Sequence, residues 1–419
     1  MKENQSKKFK FIVYIALTIT LSIYSFAVGQ WKIFPHEIIK NIANTFEIQS
    51  EEIIDEEIDG GEIVGEVVEY GEVVSLNSFE NLENYITSDL NNFEFKWGRL
   101  NVGGVGKVGA AELRGENLWY VNQNSPKLIE DLSLTQATYS EVKAIFSLGG
   151  ERYAYVAYIE NECASARLVS LLDKHIALQL SCLPGVDADM NGAGGAWLKI
   201  SDNEILMSTG TPTSSHVDNQ INKEAQSDES FWGKILRLEM KNNEIIVNVF
   251  SKGHRNPQGI TKVEDKIIAA EHGPRGGDEV NIIIEGGNYG WPIQSLGSEY
   301  DLKLINKSYD VDISTNLPLF SFVPSIGISD AKACPVIYIE YYAPNSCVAV
   351  ASMRAGSIYF LIYYEDKVLF TEKIEFDYRI RKFFVEGNTI TAVTDNEGII
   401  VGKLLDRFNY YWEVYKPNP

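Results

Sequence analysis

The strongest constraint on this chain is a repeating pattern between residues 76 and 405. Runs of roughly four to eight apolar or aromatic residues are each closed by Gly, Asn, Asp or Ser. Residues 117–121, 153–159, 204–207, 266–270, 336–341, 357–363 and 389–393 are such runs, and no long stretch carries a helical apolar stripe. The tetrads SDNE at 201–204, KNNE at 241–244 and EGNT at 386–389 sit between paired runs, which predicts antiparallel neighbours joined by tight turns. About twenty short strands need an architecture that hides their edges. An all-β, six-bladed β-propeller with four-stranded antiparallel blades fits the length, with a double sandwich as the competing fold.

Ahead of this body stand two segments of different character. Lys7, Lys8 and Lys10 precede an almost uncharged apolar run at residues 11–28, about the length that crosses hydrocarbon. Residues 1–29 are therefore expected to be a signal peptide cleaved before Gln30, or an uncleaved N-terminal membrane anchor. Either way the rest is exported, to the periplasm or beyond. Residues 30–75 include EEIIDEEIDGGEIVGEVVEYGEVV at 51–74, without Lys or Arg, and read as a solvated acidic tether with room for a short strand. The propeller is expected over residues 76–419.

With 58 acidic residues against 37 basic ones, the formal charge is −21, which argues against a nucleic-acid partner. Cys163 lies near Cys182 in sequence and Cys334 near Cys347. In an oxidising compartment two local disulfides are the natural reading, although four cysteines allow three pairings and four buried thiols remain an alternative. No Cys or His spacing matches a structural zinc site, so a bound metal is expected on oxygen.

Two loops are too polar and glycine-rich for ordinary turns: SKGHRNPQG at 251–259 and EHGPRGGDEVNIIIEGGNYGWP at 271–292. Arg255 can fork onto a planar carboxylate and Asn256 offers a donor and an acceptor. Gly273, Gly276 and Gly277 let backbone carbonyls turn toward a hard cation such as calcium. The competing reading is that Asp278, Glu279 and Asn281 only tie down a long loop. His254 and His272 are each candidates for a general base or for a loop-orienting hydrogen bond. Trp232, in FWGKILR, reads as core packing.

At these loops the sequence resembles the glucose/sorbosone dehydrogenase family of soluble quinoproteins, which includes aldose sugar dehydrogenases. GHRNPQG, EHGPRGGDEVN, GGNYGWP, WGKILRL and the late YRIRKFFVEGNTITAVTDNEG carry the resemblance, in that order along the chain. It implies a six-bladed propeller holding pyrroloquinoline quinone (PQQ) and Ca2+ in a central cleft and oxidising a sugar or polyol, with electrons leaving to an acceptor partner. By position, Arg255 and Asn256 are similar to the pair that contacts the quinone. Gly273 and Pro274 are similar to the pair whose carbonyls bind calcium. Arg354, in ASMRAG, and the pair Arg379 and Arg381 fall where the family places basic groups on the cofactor.

The chain departs from the family where a histidine opens an HxGG motif and acts as base. Here the motif reads Gly192, Ala193, Gly194, Gly195. The acid expected after the next strand is absent, since MSTGT ends in Thr211, and the early glutamine-bearing or glycine-rich segment is replaced by YSEVKAIFSLG at 139–149. Asp187, Asp189 and His216 are the candidates for a replacement base. Two functions follow: a calcium-dependent quinoprotein oxidoreductase, or a non-catalytic propeller that binds carbohydrate or protein. Glycoside hydrolysis would need a facing carboxylate pair that the sequence does not assign. The tail DRFNYYWEVYKPNP at 406–419 is expected to close the last blade against the first, with contact to a membrane or a partner as the alternative.

Overall fold

Six antiparallel sheets are arranged in a ring in the computed structural model, which describes residues 70–76, 84–90, 92–100, 107–185, 188–213, 220–303, 305, 315–395 and 398–406. The apolar run at 11–28, most of the acidic run, Asp187, His216 and residues 407–419 lie outside the described residues. The innermost strands of the six blades are Val108–Arg114, Tyr139–Leu148, Gly194–Ser201, Pro257–Val263, Ile328–Ala333 and Ile380–Glu386. Each touches the next around the ring, and the last touches the first. Six buried apolar clusters follow, one at every junction between neighbouring blades.

Blades three, four and five have four strands each. Blade one has three among the described residues, its outer strand being Glu72–Ser75, paired antiparallel with Asn117–Asn122. The acidic run thus ends in a strand, and the sheet begins before the boundary expected at residue 76. Blade two gains a fifth strand because Ile176–Gln179 and Leu183–Pro184 both pair with Cys163–Ser170. Disulfides join Cys163 to Cys182 and Cys334 to Cys347, the local pairing.

Blade six closes the ring. Phe93–Leu100 pairs antiparallel with Ile399–Asp406 along its whole length, from Phe93 opposite Asp406 to Leu100 opposite Ile399. A strand from the start of the body and one from its end therefore share a sheet. Gly402 is required there, because a Cβ would come within 2.4 Å of the Phe95 ring. The closure uses residues 399–406, and the aromatic residues that follow lie outside the described residues.

The tight turns fall where the tetrads predict them, with Asn242 and Asn243 at φ of 53° and 64° and Gly387 at 56°. One run is different: Val336–Tyr342 is an α-helix, not a strand. Its β-branched and aromatic residues favour extended backbone, but tertiary contacts override that preference. Pro335 stands at the N-cap, and the hairpin of blade six supplies the Gly387 carbonyl and the Asn388 side chain to the amides of Val336 and Ile337. Tyr338 stacks on Phe360 with ring centroids 4.0 Å apart. Trp232 is fully buried and donates to the Ser181 carbonyl at 2.9 Å, as packing requires.

Phe95 on the closing strand is completely buried and packs edge-on against Phe376. Phe95→Ala is expected to cost about 3–5 kcal/mol. Denaturant unfolding followed by tryptophan fluorescence measures the loss.

Candidate functional site

The inner strands leave an open cleft of about 510 Å³ at one end of the ring axis. Arg255, Asn256, Gly273, Pro274, Arg354, Arg379 and Arg381 all line it, brought together from blades four, five and six. His272, Thr211, Asp189 and Gly192 line it as well.

Blade four supplies the loops at 253–256 and 272–277. The Thr211 amide donates to the Arg255 carbonyl at 2.7 Å, and the Arg255 amide to Glu271 Oε1 at 3.4 Å. The guanidinium lies 5.4 Å from the Trp291 ring centre and donates Nη1–H to the His272 carbonyl at 3.2 Å. Trp291 in turn donates its indole N–H to Thr211 Oγ1 at 3.0 Å. Thr211 therefore fixes both the backbone of Arg255 and the ring beneath its side chain. Asn256 Oδ1 accepts from the Gly194 amide at 3.1 Å and from Gln258 at 2.8 Å, joining blade four to blade three.

His254 is not in the cleft. It is fully buried, stacked on Tyr289, with Nδ1 2.9 Å from Glu271 Oε2 and Nε2 2.8 Å from Ser251 Oγ. This Ser–His–Glu array has the spacing of a nucleophilic triad. All three side chains are sealed in protein, and none of them lines the cleft, so the array braces the loop that carries Arg255.

The 272–277 loop folds back sharply: a Cβ at Gly273 would sit 2.0 Å from the Gly277 carbonyl, and Gly276 and Gly277 have φ of 80° and 67°. Asp278 holds it. Its Oδ1 accepts from the Gly273 amide at 3.1 Å, and its Oδ2 from the amides of Gly327 and Ile328 at 2.7 and 3.1 Å, fastening blade four to blade five. Asp278 thus behaves as the loop-tying reading expected. Among the described residues, the carbonyl oxygens of Gly273 and Pro274 accept no hydrogen bond. Those two oxygens are the atoms a hard cation would use. Burial pushes the His272 imidazole down to about 4, so it is neutral at pH 7, with Nδ1 3.9 Å from Asp278 Oδ1.

On blade six, Arg379 and Arg381 share a partner that sequence reading missed. Arg381 forks onto the buried Asp395 through Nε and Nη2 at 2.9 and 2.7 Å, and Arg379 reaches the same carboxylate through Nε at 3.3 Å. The pair thus shares one carboxylate that is already in place. Arg354, on the loop of blade five, is exposed and makes no ion pair among the described residues. A second missed residue is Lys143, in the segment YSEVKAIFSLG. It is buried at the cleft wall with Nζ 2.5 Å from Glu141 Oε2, and burial pulls its pKa below the usual lysine range.

Gly192 ends a short 3-10 turn whose N-cap, Asp189, accepts from the Asn191 amide at 3.1 Å. A Cβ on Gly192 would stand 3.0 Å from the Thr211 carbonyl and 3.2 Å from Pro212 Cα, so a side chain there needs only a small shift. Among the described residues, no group of three or more His, Cys, Asp or Glu side chains is placed to hold a metal.

Residues 180–402 match the family model described as glucose / sorbosone dehydrogenase. An 87-residue stretch is 34% identical to quinoprotein glucose dehydrogenase B of Acinetobacter calcoaceticus, covering 18% of each chain. Another, of 126 residues, is 32% identical to an aldose sugar dehydrogenase of Escherichia coli (strain K12), covering 27% of this chain and 34% of that one. The chain thus matches only 18% and 34% of the length of these two relatives. A solved glucose dehydrogenase superposes with a TM-score of 0.56 at 19% identity, over 73% of this chain and 98% of that one, which is a likeness of fold.

Beneath the loop, burial raises the Glu279 carboxyl to about 8, with the neighbouring Glu271 adding to the shift. Its folded pKa lies above its unfolded one, so its contribution to stability is present below the unfolded value of 4.5 and is lost as pH rises through about 8. Glu279→Gln is expected to flatten the fall in stability between pH 5 and pH 8. Thermal unfolding at both pH values measures it.

Proposed function

The chain belongs to the glucose/sorbosone dehydrogenase family, and from that premise we propose that its cleft binds PQQ with Ca2+ and oxidises a hydroxyl of a sugar or polyol. Arg255, Asn256, Arg354, Arg379 and Arg381 would hold the quinone, and the carbonyls of Gly273 and Pro274 the calcium ion. The observation that carries this reading is the convergence of those four arginines and two unpartnered carbonyls on one cleft. When bound, the quinone supplies a hydride acceptor and the calcium ion a Lewis acid.

The chain's own residues would bind, orient and screen. Arg381 uses Nε and Nη2 on Asp395 and keeps Nη1–H for a ligand carboxylate. Asp395 fixes the direction of both guanidinium groups before any ligand arrives, which lowers the ordering cost of binding. Thr211 and Trp291 do the same for Arg255. At the position the family gives to its histidine this chain has Gly192, so the hydroxyl proton must leave to another group or to water. A positioned base contributes about 10² to 10⁴ in rate, and its absence points to slow turnover.

The bare Gly192 and the fully engaged Thr211 favour a second reading, a propeller that binds carbohydrate or protein without chemistry. We further propose that residues 1–29 export the chain, by cleavage or as an anchor, that residues 30–75 tether it, their last four also serving as the outer strand of blade one, and that residues 76–419 form the rest of the functional body. The disulfides Cys163–Cys182 and Cys334–Cys347 support an oxidising compartment.

Calorimetric titration of the calcium-loaded protein with PQQ should show binding, weakened by roughly tenfold or more in Arg379→Ala, a partly exposed position whose removal spares the fold. No binding by folded protein would leave the second reading. Gly192→His should keep quinone affinity and raise sugar-dependent dye reduction by about 10²-fold or more. An unchanged rate would mean that proton removal is not what limits this chain.

A further inference from the structure

The cleft divides into two arcs. The groups assigned to quinone and calcium come from blades four, five and six. Blades one, two and three face them with Lys107, Gln123, Lys143, Asp189 and Asn191, around the bare backbone of Gly192. This second arc is what remains for a substrate.

Its two cations come from adjoining blades and line the same cleft. The Gln123 amide donates to the Lys107 carbonyl at 2.7 Å, and the Gln123 carbonyl accepts from the Val142 amide at 2.8 Å, which ties the backbone at Lys107 to the strand that carries Lys143 across the junction of blades one and two. Lys143 is pressed against Gly195, where a Cβ would meet its own Cβ at 2.8 Å. One ammonium N–H of Lys143 goes to Glu141, leaving two donors. Lys107 is exposed, and among the described residues it makes no ion pair.

Charge gives the second line of support. The chain carries −21 overall, yet eight basic side chains line the cleft against two carboxylates, Asp189 and Asp278. Counting Glu141, Glu271, Asp330 and Asp395 behind them, with Lys332 on Asp330, gives nine basic groups against six carboxylates, so the site keeps a surplus of about three positive charges. PQQ is a tricarboxylate, and with one calcium ion it adds a single negative charge. A surplus remains, and a neutral sugar would leave it uncompensated.

We propose that the substrate is an anionic sugar, carrying a carboxylate or a phosphate, and that Lys107 and Lys143 receive its charged group while the reacting hydroxyl lies beside Gly192. The proposal rests on the quinoprotein reading and adds the substrate class to it. Burial holds the Lys143 pKa low, and a bound anion reverses that direction.

The test uses the full chain loaded with calcium and reduced quinone, so that no turnover occurs. D-glucuronate, D-glucose 6-phosphate and D-glucose are titrated calorimetrically in turn. At least one anionic sugar should bind about tenfold or more tightly than glucose. That gap should shrink between about 0.05 and about 0.5 M salt. Lys107→Gln, an exposed position, should close most of it. Preference for glucuronate alone identifies a sugar acid, and preference for the phosphate alone identifies a sugar phosphate. Equal binding of all three sugars, or a preference that survives Lys107→Gln, overturns the proposal while quinone uptake by the same sample leaves the quinoprotein reading standing. Failure to take up quinone overturns both.

Discussion

Everything in this molecule depends on the pairing of Phe93–Leu100 with Ile399–Asp406. A ring of six sheets has no stable open form of the same kind, because each blade buries its faces only against two neighbours. The six junction clusters are equivalent links, and five of them can form between blades that are consecutive in sequence. The sixth requires residues about 300 positions apart to share a sheet, a large loop-closure cost that backbone bonds and the Phe95 and Phe376 packing must outweigh. Once closed, the ring fixes where every inner strand begins, and the cleft is the space those ends enclose.

Polar braces then transmit that geometry to the site. Asp278 joins the glycine loop of blade four to the inner strand of blade five, and Ser329 donates to the Ile380 carbonyl to join blade five to blade six. Asn256 ties blade four to blade three. Each is a buried polar group whose hydrogen bonds cross a blade junction, so the loops at the cleft inherit the rigidity of the ring. The arginines are braced in the same way, Arg381 by Asp395 and Arg255 by Thr211 and Trp291. The site is organised before any ligand enters, which suits binding of a rigid, multiply charged planar cofactor.

Burial sorts the titratable groups by role. His254 and Glu271 look catalytic by type and spacing, yet they are enclosed, while the exposed Lys107 looks ordinary in sequence and stands on the cleft. Lys143 shows why such residues escape sequence reading. Its segment has the alternation of a strand, and only the ring places this position at the wall opposite Arg255. Asp395 is likewise invisible as a partner of Arg381, since a salt bridge across a sheet depends on register and not on local spacing.

The sequence by itself determined the fold class, the tight turns, the polar loops and the family to which they belong. These are local or periodic properties: strand alternation, turn residues with left-handed backbone such as Asn243 and Gly387, and contiguous motifs such as GHRNPQG. It also carried the local cysteine pairing as the natural option among three. The tertiary structure decided what depends on residues distant in the chain. It turned Val336–Tyr342 into a helix because the blade six hairpin caps its free amides. It buried His254, gave Arg379 and Arg381 a shared carboxylate, and brought Lys107 and Lys143 to one cleft. The shared carboxylate is fixed by the register of the blade six hairpin, and the other outcomes by which blades become neighbours.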